Sequence, residues 1–464
     1  MSFPEDFVWG AATSSYQIEG AASEGGRKPS IWDDFCNESG NILDGSNGDV
    51  ACDHYDRFET DVQMMKDLGL KAYRFSIAWS RILSFGEGGE EEANPKGIEF
   101  YNKLIDLLIS KDIEPWVTLY HWDLPSHLHK EEGGWTDRRI VERFAAYARI
   151  CFKHFGDRAK RWITLNEPWV CSVLGYRTGD HAPGHKHPDE PYIAAHHLLL
   201  SHAYAVKIYR KEFQSKQGGL IGITNNCDFR FPKNPASSAD RAAAQRSVEF
   251  CLGWFADPIW GEEGDYPPVM RERLGDRLPH FTTEEKLILK GSADFFGLNH
   301  YSTKLASDSE EGEYQNDEGV GLSDDPKWKK TNMGWNVVPE GLRELLKWIK
   351  ARYNAPTIYI TENGCACYEP DHDTAANDVF RRDFLESYIR ECRRAIVEGV
   401  NLRGYFAWSL LDNFEWAFGY TQRFGICRVD YDTLARTPKL SALWYARTIA
   451  QNGANIEQYP GRGK

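Results

Sequence analysis

The sequence predicts an α/β fold, a closed (β/α)8 TIM barrel with loop insertions at the C-terminal ends of its strands. Three observations carry this. Short apolar runs alternate with long amphipathic stretches eight times, and no ninth unit follows. The strand-like runs are apolar on both faces, as in a parallel sheet covered by helices. No G-x-G-x-x-G follows the first run, which argues against an open dinucleotide-binding sheet. At 464 residues the chain is long for one domain. Barrels with long loops nevertheless run past about 400 residues, and no composition break marks a linker. Residues 1–464 are therefore read as one barrel domain.

The units follow in order. "FVWGAATS" (7–14) is the first strand and "YDRFETDVQMMKDLG" (55–69) its helix. "KAYRFSIAWS" (71–80) precedes the helix 98–113, and "EPWVTLYHW" (114–122) the helix 139–156, which stops at Gly156. "RWITLNEP" (161–168) is followed by a long helix over 194–213, and "GLIGITNN" (219–226) by helical stretches at 238–256 and 283–294. "DFFGLNHYST" (294–303) leads to a helix at 339–353, "PTIYITENG" (356–364) to one at 379–399, and "LRGYFAWSL" (402–410) to the last at 441–450. The segments 226–280 and 303–338 read as loop insertions, and the acidic "SDSEEGEYQNDEG" (307–319) as a solvated loop.

Net charge is −14, which argues against nucleic acid or an anionic membrane as partner. Sixteen Trp and 22 Tyr read either as core filling or, more sharply, as flat apolar surface for stacking on a small ligand such as a sugar ring. "MSFPEDFVWG" shows no secretion signal, so a cytoplasmic protein is expected. Ten cysteines are scattered apart from one close pair, Cys365 and Cys367, and are expected to be reduced. The oligomeric state is not legible.

Active sites of this fold lie at the C-terminal strand ends. Gln17 and Glu19 follow strand one, Arg74 lies on strand two, and His121 and Trp122 end strand three. Asn166 and Glu167 end strand four, Asn225 strand five, Asn299 and Tyr301 strand six. Glu362 ends strand seven and Trp408 strand eight, with "DNFEW" (412–416) beyond. One strand-end glutamate is ordinarily a salt-bridged loop residue. Two of them within a ring of Arg, His, Asn and indole side chains form a candidate site. No metal or cofactor is expected: there is no H-E-x-x-H, no nucleophile elbow and no phosphate loop. His196, His197 and His202 lie on an apolar helix, and "GHKH" (184–187) reads as a polar loop. Paired carboxylates without metal suit glycoside hydrolysis, where one donates a proton and the other attacks or activates water. The residues alone leave open which is which.

From "FVWGAATSSYQIEGA" (7–21) to "NFEWAFGYTQRFGICRVDY" (413–431), the chain resembles glycoside hydrolase family 1, the β-glucosidase family. "TLNEP" (164–168) and "ITENG" (360–364) are similar to its acid/base and nucleophile motifs. The resemblance implies a retaining mechanism, with Glu362 the nucleophile and Glu167 the acid/base, about 5–5.5 Å apart. Arg74 and Tyr301 match residues that orient the nucleophile, and Asn166 the ligand of the sugar 2-hydroxyl. Gln17, His121, Trp122, Asn299, Trp408, Glu415, Trp416 and Phe424 match the substrate-binding set. Cys171, Asn225 and Trp335 are candidates for the aglycone wall, although Trp335 could equally pack within its loop. Glu167 in place of the Gln of thioglucosidase members implies O-glycosides, and Glu415 implies an unphosphorylated glycone. The expected substrates are cellobiose, short β-glucans or aryl β-glucosides. β-Galactosides or β-fucosides, a chiefly transglycosylating enzyme, and a silent glycan-binding relative are the alternatives, the last disfavoured because both glutamates are present.

Overall fold

The computed structural model describes residues 3–85, 91–310 and 315–456. Eight parallel strands close into a barrel: β1 (Val8–Ala12), β2 (Ala72–Ser76), β3 (Glu114–Tyr120), β4 (Arg161–Asn166), β5 (Leu220–Asn226), β6 (Phe296–Asn299), β7 (Ile358–Asn363) and β8 (Leu402–Trp408). Each pairs with its neighbours in sequence and β8 returns to β1, so the barrel has no free edge. A helix follows every strand and packs its apolar stripe on the outside. The helix Pro95–Ser110 shows why such segments fold: Asn94 caps it by accepting from the Lys96 amide, Pro95 opens it, and Phe100, Leu104 and Leu108 bury one face.

The barrel interior has its own small core. Trp116 is fully buried, with ring centroids 4.7 Å from Tyr359, 5.1 Å from Phe406 and 5.5 Å from Phe295. Ala12 and Ala72 complete this layer, small residues opposite large ones. Gly10 is required beside it, because a Cβ there would lie 2.5 Å from the Phe406 ring. The aromatic layer forms a rigid floor, and the strand ends above it carry the polar side chains.

Four expectations need correcting. The second strand stops at Ser76, and Trp79–Ile82 is a helical turn instead. The sixth is only Phe296–Asn299, since the chain leaves the barrel there and restarts at Thr303 as an outside strand. The insertions are not bare loops: Phe229–Pro232, Thr303–Asp308 and Val320–Ser323 form a three-stranded sheet, and Lys329–Lys330 pairs with Asn336–Val337. Nor is 307–319 simply solvated, although residues 311–314 lie outside the described ones. Asp317 pairs with Arg277 at 2.7 Å and Arg177 at 3.2 Å, and Glu318 is buried, its carboxyl pushed up to about 7 by that burial.

Candidate active site

Two irregularities in strand register aim the glutamates. On β7, Tyr359 belongs to the barrel interior and Ile360 to the outer core. Strict alternation would then send Thr361 inward and Glu362 back out. The register shifts between Ile360 and Glu362 against β6, and both side chains face inward. Thr361 Oγ1 donates to Asn299 Oδ1 (2.7 Å), while Glu362 accepts from Arg74 and Tyr301. On β4 the shift lies between Ile163 and Asn166. Glu167 follows with φ 49°, a left-handed conformation uncommon for glutamate, and its amide donates to the Thr224 carbonyl at 2.9 Å. Pro168 then starts a helix, so Glu167 stands at a strand-to-helix corner.

One hydrogen-bonded network ties these strands together. Arg74, fully buried, donates through Nη1 to Glu362 Oε1 (2.5 Å) and through Nη2 to Asn166 Oδ1 (2.6 Å). Tyr301 Oη donates to Glu362 Oε2 at 2.6 Å, so both oxygens of Glu362 accept a proton donor. Glu167 has a different partner: Asn299 Nδ2 donates to its Oε1 at 2.6 Å and also to Asn166 Oδ1 at 3.0 Å. Because Asn166 Oδ1 accepts twice, its Nδ2 must donate, and His121 Nε2 accepts at 3.0 Å. That places the His121 proton on Nδ1.

Charge follows from this geometry. Burial raises the carboxyl of Glu167 well above the ordinary range, and the nearby Glu362 charge adds to it. Burial raises Glu362 as well, but the Arg74 charge and the Tyr301 hydrogen bond oppose it. Glu362 is thus the carboxylate and Glu167 the acid of the pair. Glu415 is pushed up to about 8, mainly by burial and secondarily by Glu362. Burial and Arg74 hold His121 well below its usual value, so its ring is neutral.

The glutamates open into a cavity of about 290 Å³, near the lower end for small-molecule sites. Glu167, Glu362, His121, Trp122, Asn299, Tyr301, Trp335, Trp408, Glu415, Trp416 and Phe424 all line it. The Trp408 and Trp416 rings lie nearly parallel to His121, with centroids at 5.8 and 5.9 Å. His121 Nδ1 and Glu415 Oε2 are buried without a hydrogen-bond partner among the described residues. They form a donor and an acceptor suited to sugar hydroxyls.

Arg74, Asn166 and Gln17 are not in the wall. The first two stand behind the glutamates. Gln17 is wholly buried, its amide donating to the Phe414 carbonyl (2.8 Å) and Asn413 Oδ1 (3.1 Å), so it braces the segment that carries Glu415 and Trp416 rather than lining the cavity. Two aglycone candidates are corrected. Thr224 bonds Thr361 inside the barrel, so alternation turns Asn225 away and brings Asn226 to the wall. Cys171 sits beside Trp32, Tyr120, Trp135 and Tyr176, behind the wall residues Trp122 and His181 and outside the cavity lining, whereas Trp169, Val170 and Leu174 line it. Residue reasoning also missed His181, Cys227, Asp228, Arg230, Cys251, Met333 and Phe418. Only Trp169, directly after "NEP", and 226–230, at and just past the end of strand five, carry a positional signal. Glu19 is structural, paired with Arg81 and Tyr101.

Among the described residues no group of three or more His, Cys, Asp or Glu could hold a metal ion, and no helix is long and apolar enough to cross a membrane. His196, His197 and His202 are buried in the helix Glu190–Ile208.

The family model described as "Glycosyl hydrolase family 1" matches residues 1–454. Beta-glucosidase 42 of Arabidopsis thaliana is 48% identical over 98% of this chain and 95% of its own length. A rice Os3BGlu6 β-glucosidase mutant, solved in a covalent complex with Glc, matches with a TM-score of 0.92 at 45% identity, covering 96% of this chain and 98% of that one. The β-glucosidase from Trichoderma harzianum gives 0.93 at 43% identity, covering 97% and 98%. The chain belongs to glycosyl hydrolase family 1 and is an O-glycoside hydrolase.

Proposed function

We propose that the chain is a retaining β-glucosidase that removes a terminal non-reducing glucosyl unit from cellobiose, short β-glucans or aryl β-glucosides. The observation that carries this is the unequal holding of two glutamates in one cavity: among the described residues Glu362 is bound at both oxygens by Arg74 and Tyr301, and Glu167 only by the neutral Asn299. Glu362 attacks the anomeric carbon while Glu167 gives its proton to the departing aglycone oxygen. The bond to the aglycone breaks and a glucosyl ester of Glu362 forms. Glu167, now ionised, takes a proton from water, whose oxygen displaces Glu362 and regenerates both groups. Asn299 bonds Glu167 in either state. Arg74 and Tyr301 keep Glu362 ionised and aimed. The rice relative in covalent complex with Glc supports this route.

His121 and Glu415 are placed to take hydroxyls of the glycone, with Trp408 and Trp416 as flat walls. The decisive experiment is Glu362→Gly: hydrolysis of an aryl β-glucoside should fall by about 10⁴-fold or more, and azide should restore turnover as the α-glucosyl azide. Full activity in that variant would sink the assignment. Kinetics on a β-glycoside panel, with product analysis on cellobiose, separate glucosides from galactosides or fucosides and hydrolysis from transglycosylation.

A further inference from the structure

Just past the β7 end that carries Glu362, the chain sets two thiols side by side. Cys365 Sγ and Cys367 Sγ lie 3.9 Å apart. A disulfide needs about 2.05 Å, so these are two thiols in contact. Cys365 is wholly buried. Cys367 lines a separate surface groove of about 480 Å³, with Lys330, Asn332, Tyr368 and Phe380. The loop 331–335 divides this groove from the substrate cavity, with Thr331 and Asn332 on one side and Met333 and Trp335 on the other. The buried Arg381 guanidinium, paired with Glu369 and Asp378, donates to the Cys365 carbonyl at 3.3 Å. The Cys365 hydrogen bond and the Arg381 charge hold the Cys367 thiol below its usual range. Burial instead pushes Cys52, Cys151, Cys392 and Cys427 up. Thiol reactivity follows thiolate character and access together, and a neighbouring thiol resolves the first oxidation product.

We propose that Cys367 is a peroxide-reactive thiol with Cys365 as its resolving partner, so that hydrogen peroxide converts the pair into an intrachain Cys365–Cys367 disulfide. The Cys367 thiolate attacks one peroxide oxygen. The O–O bond breaks, hydroxide leaves and takes the thiol's proton as water, and Cys367 becomes a sulfenic acid. The Cys365 sulfur then attacks the Cys367 sulfur. The S–O bond breaks and a second water leaves with the Cys365 proton. Two thiols lose two electrons and two protons, and one peroxide becomes two waters.

The pair is mechanically joined to the site. A Cβ at Gly364 would lie 1.7 Å from the Trp408 carbonyl oxygen, so the chain there is pressed against the end of β8 and has no room to yield. The Cys367 amide donates to the Arg423 carbonyl (3.1 Å), next to the cavity residue Phe424. Closing the sulfur gap strains this segment between Glu362 and Phe424 and lowers turnover. That effect, unlike the thiol chemistry, rests on the reading of Glu362 as nucleophile.

The test is peptide mapping of the full chain after hydrogen peroxide. We expect the peptide holding both thiols to lose two hydrogen atoms and resist alkylation, with dithiothreitol reversing both. Aryl-glucoside turnover should fall several-fold and recover with the reductant. Limiting iodoacetamide on the unoxidised chain should label Cys367 ahead of the other cysteines, a readout that needs no variant. Cys365→Ser should leave a sulfenic acid on Cys367 that dimedone traps, and Cys367→Ser should abolish both products. Oxidation or alkylation that starts at another cysteine overturns the proposal, and so does a Cys365→Ser variant that dimedone leaves unlabelled. A linked pair with unchanged turnover overturns its effect on catalysis. Absence of glucosidase activity before oxidation counts against the functional reading and not against the thiol chemistry.

Discussion

At the inner end of the cavity, functional side chains are held by short hydrogen bonds from several strands; at the outer rim they are held by ring contacts and long polar contacts. Glu362 has donors at 2.5 and 2.6 Å, and Asn166 joins Arg74, Asn299 and His121. Arg230, in the outer wall, has contacts of 3.3 and 3.4 Å and an ion pair at 3.9 Å. Trp335 meets Tyr301 and Phe424 at centroid distances of 5.4 and 5.9 Å. The inner residues stand on barrel strands or, like His121, Glu167 and Tyr301, within two residues of their ends. The outer ones come from the insertions. Tightly cross-bonded groups hold geometry for bond-breaking, and loosely held ones can differ between proteins without disturbing it.

Substitutions can break this contrast. Beyond Glu362→Gly, the largest effect is expected from Glu167→Ala. It should cost on the order of 10²–10⁴-fold with cellobiose and much less with an aryl glucoside whose leaving group needs no proton. Equal losses on both would count against an acid role.

Tyr301→Phe should lower kcat about 10–100-fold, the scale of one lost hydrogen bond to a charged group. Its pH profile is the sharper readout. The Tyr301 bond lowers the Glu362 pKa, so its loss raises that pKa, and the acid limb of kcat/KM should move to higher pH. An unmoved limb would make the tyrosine merely structural.

Glu415→Gln should weaken glycone binding, raising KM about tenfold. It also tests stability. The carboxyl is raised to about 8 in the fold from 4.5, so the folded state binds the proton more tightly. Between those values the native chain carries more protons than the unfolded one, and stability falls as pH rises. The melting temperature of the parent should drop between pH 5 and pH 8 by more than that of the variant. Equal drops would remove Glu415 as a contributor.

Trp335→Ala is expected to do least: a few-fold rise in KM for bulky aglycones, with azide rescue of Glu362→Gly unaffected. A collapse of turnover on every substrate would place Trp335 with the inner machinery and erase the division.

The sequence by itself determined the number and order of the barrel strands and which of them end in glutamate. Apolar period and strand-then-helix order are local patterns, and Glu167, Glu362, His121 and Trp408 lie at the ends of runs that read plainly. Local pattern could not say that β4 and β7 break their alternation. Period two alone would turn Glu362 toward the helices, and only its shifted register against β6 and β8 turns it in. It could not say that Asn225 faces away while Asn226 faces the cavity, or that Cys171 packs with aromatic rings beyond it. The tertiary structure decided those orientations, because a bulge or a helix phase is fixed by the neighbouring element and not by the residue. It also decided that Cys365 and Cys367, a close pair in the sequence, touch each other with only the second at a groove.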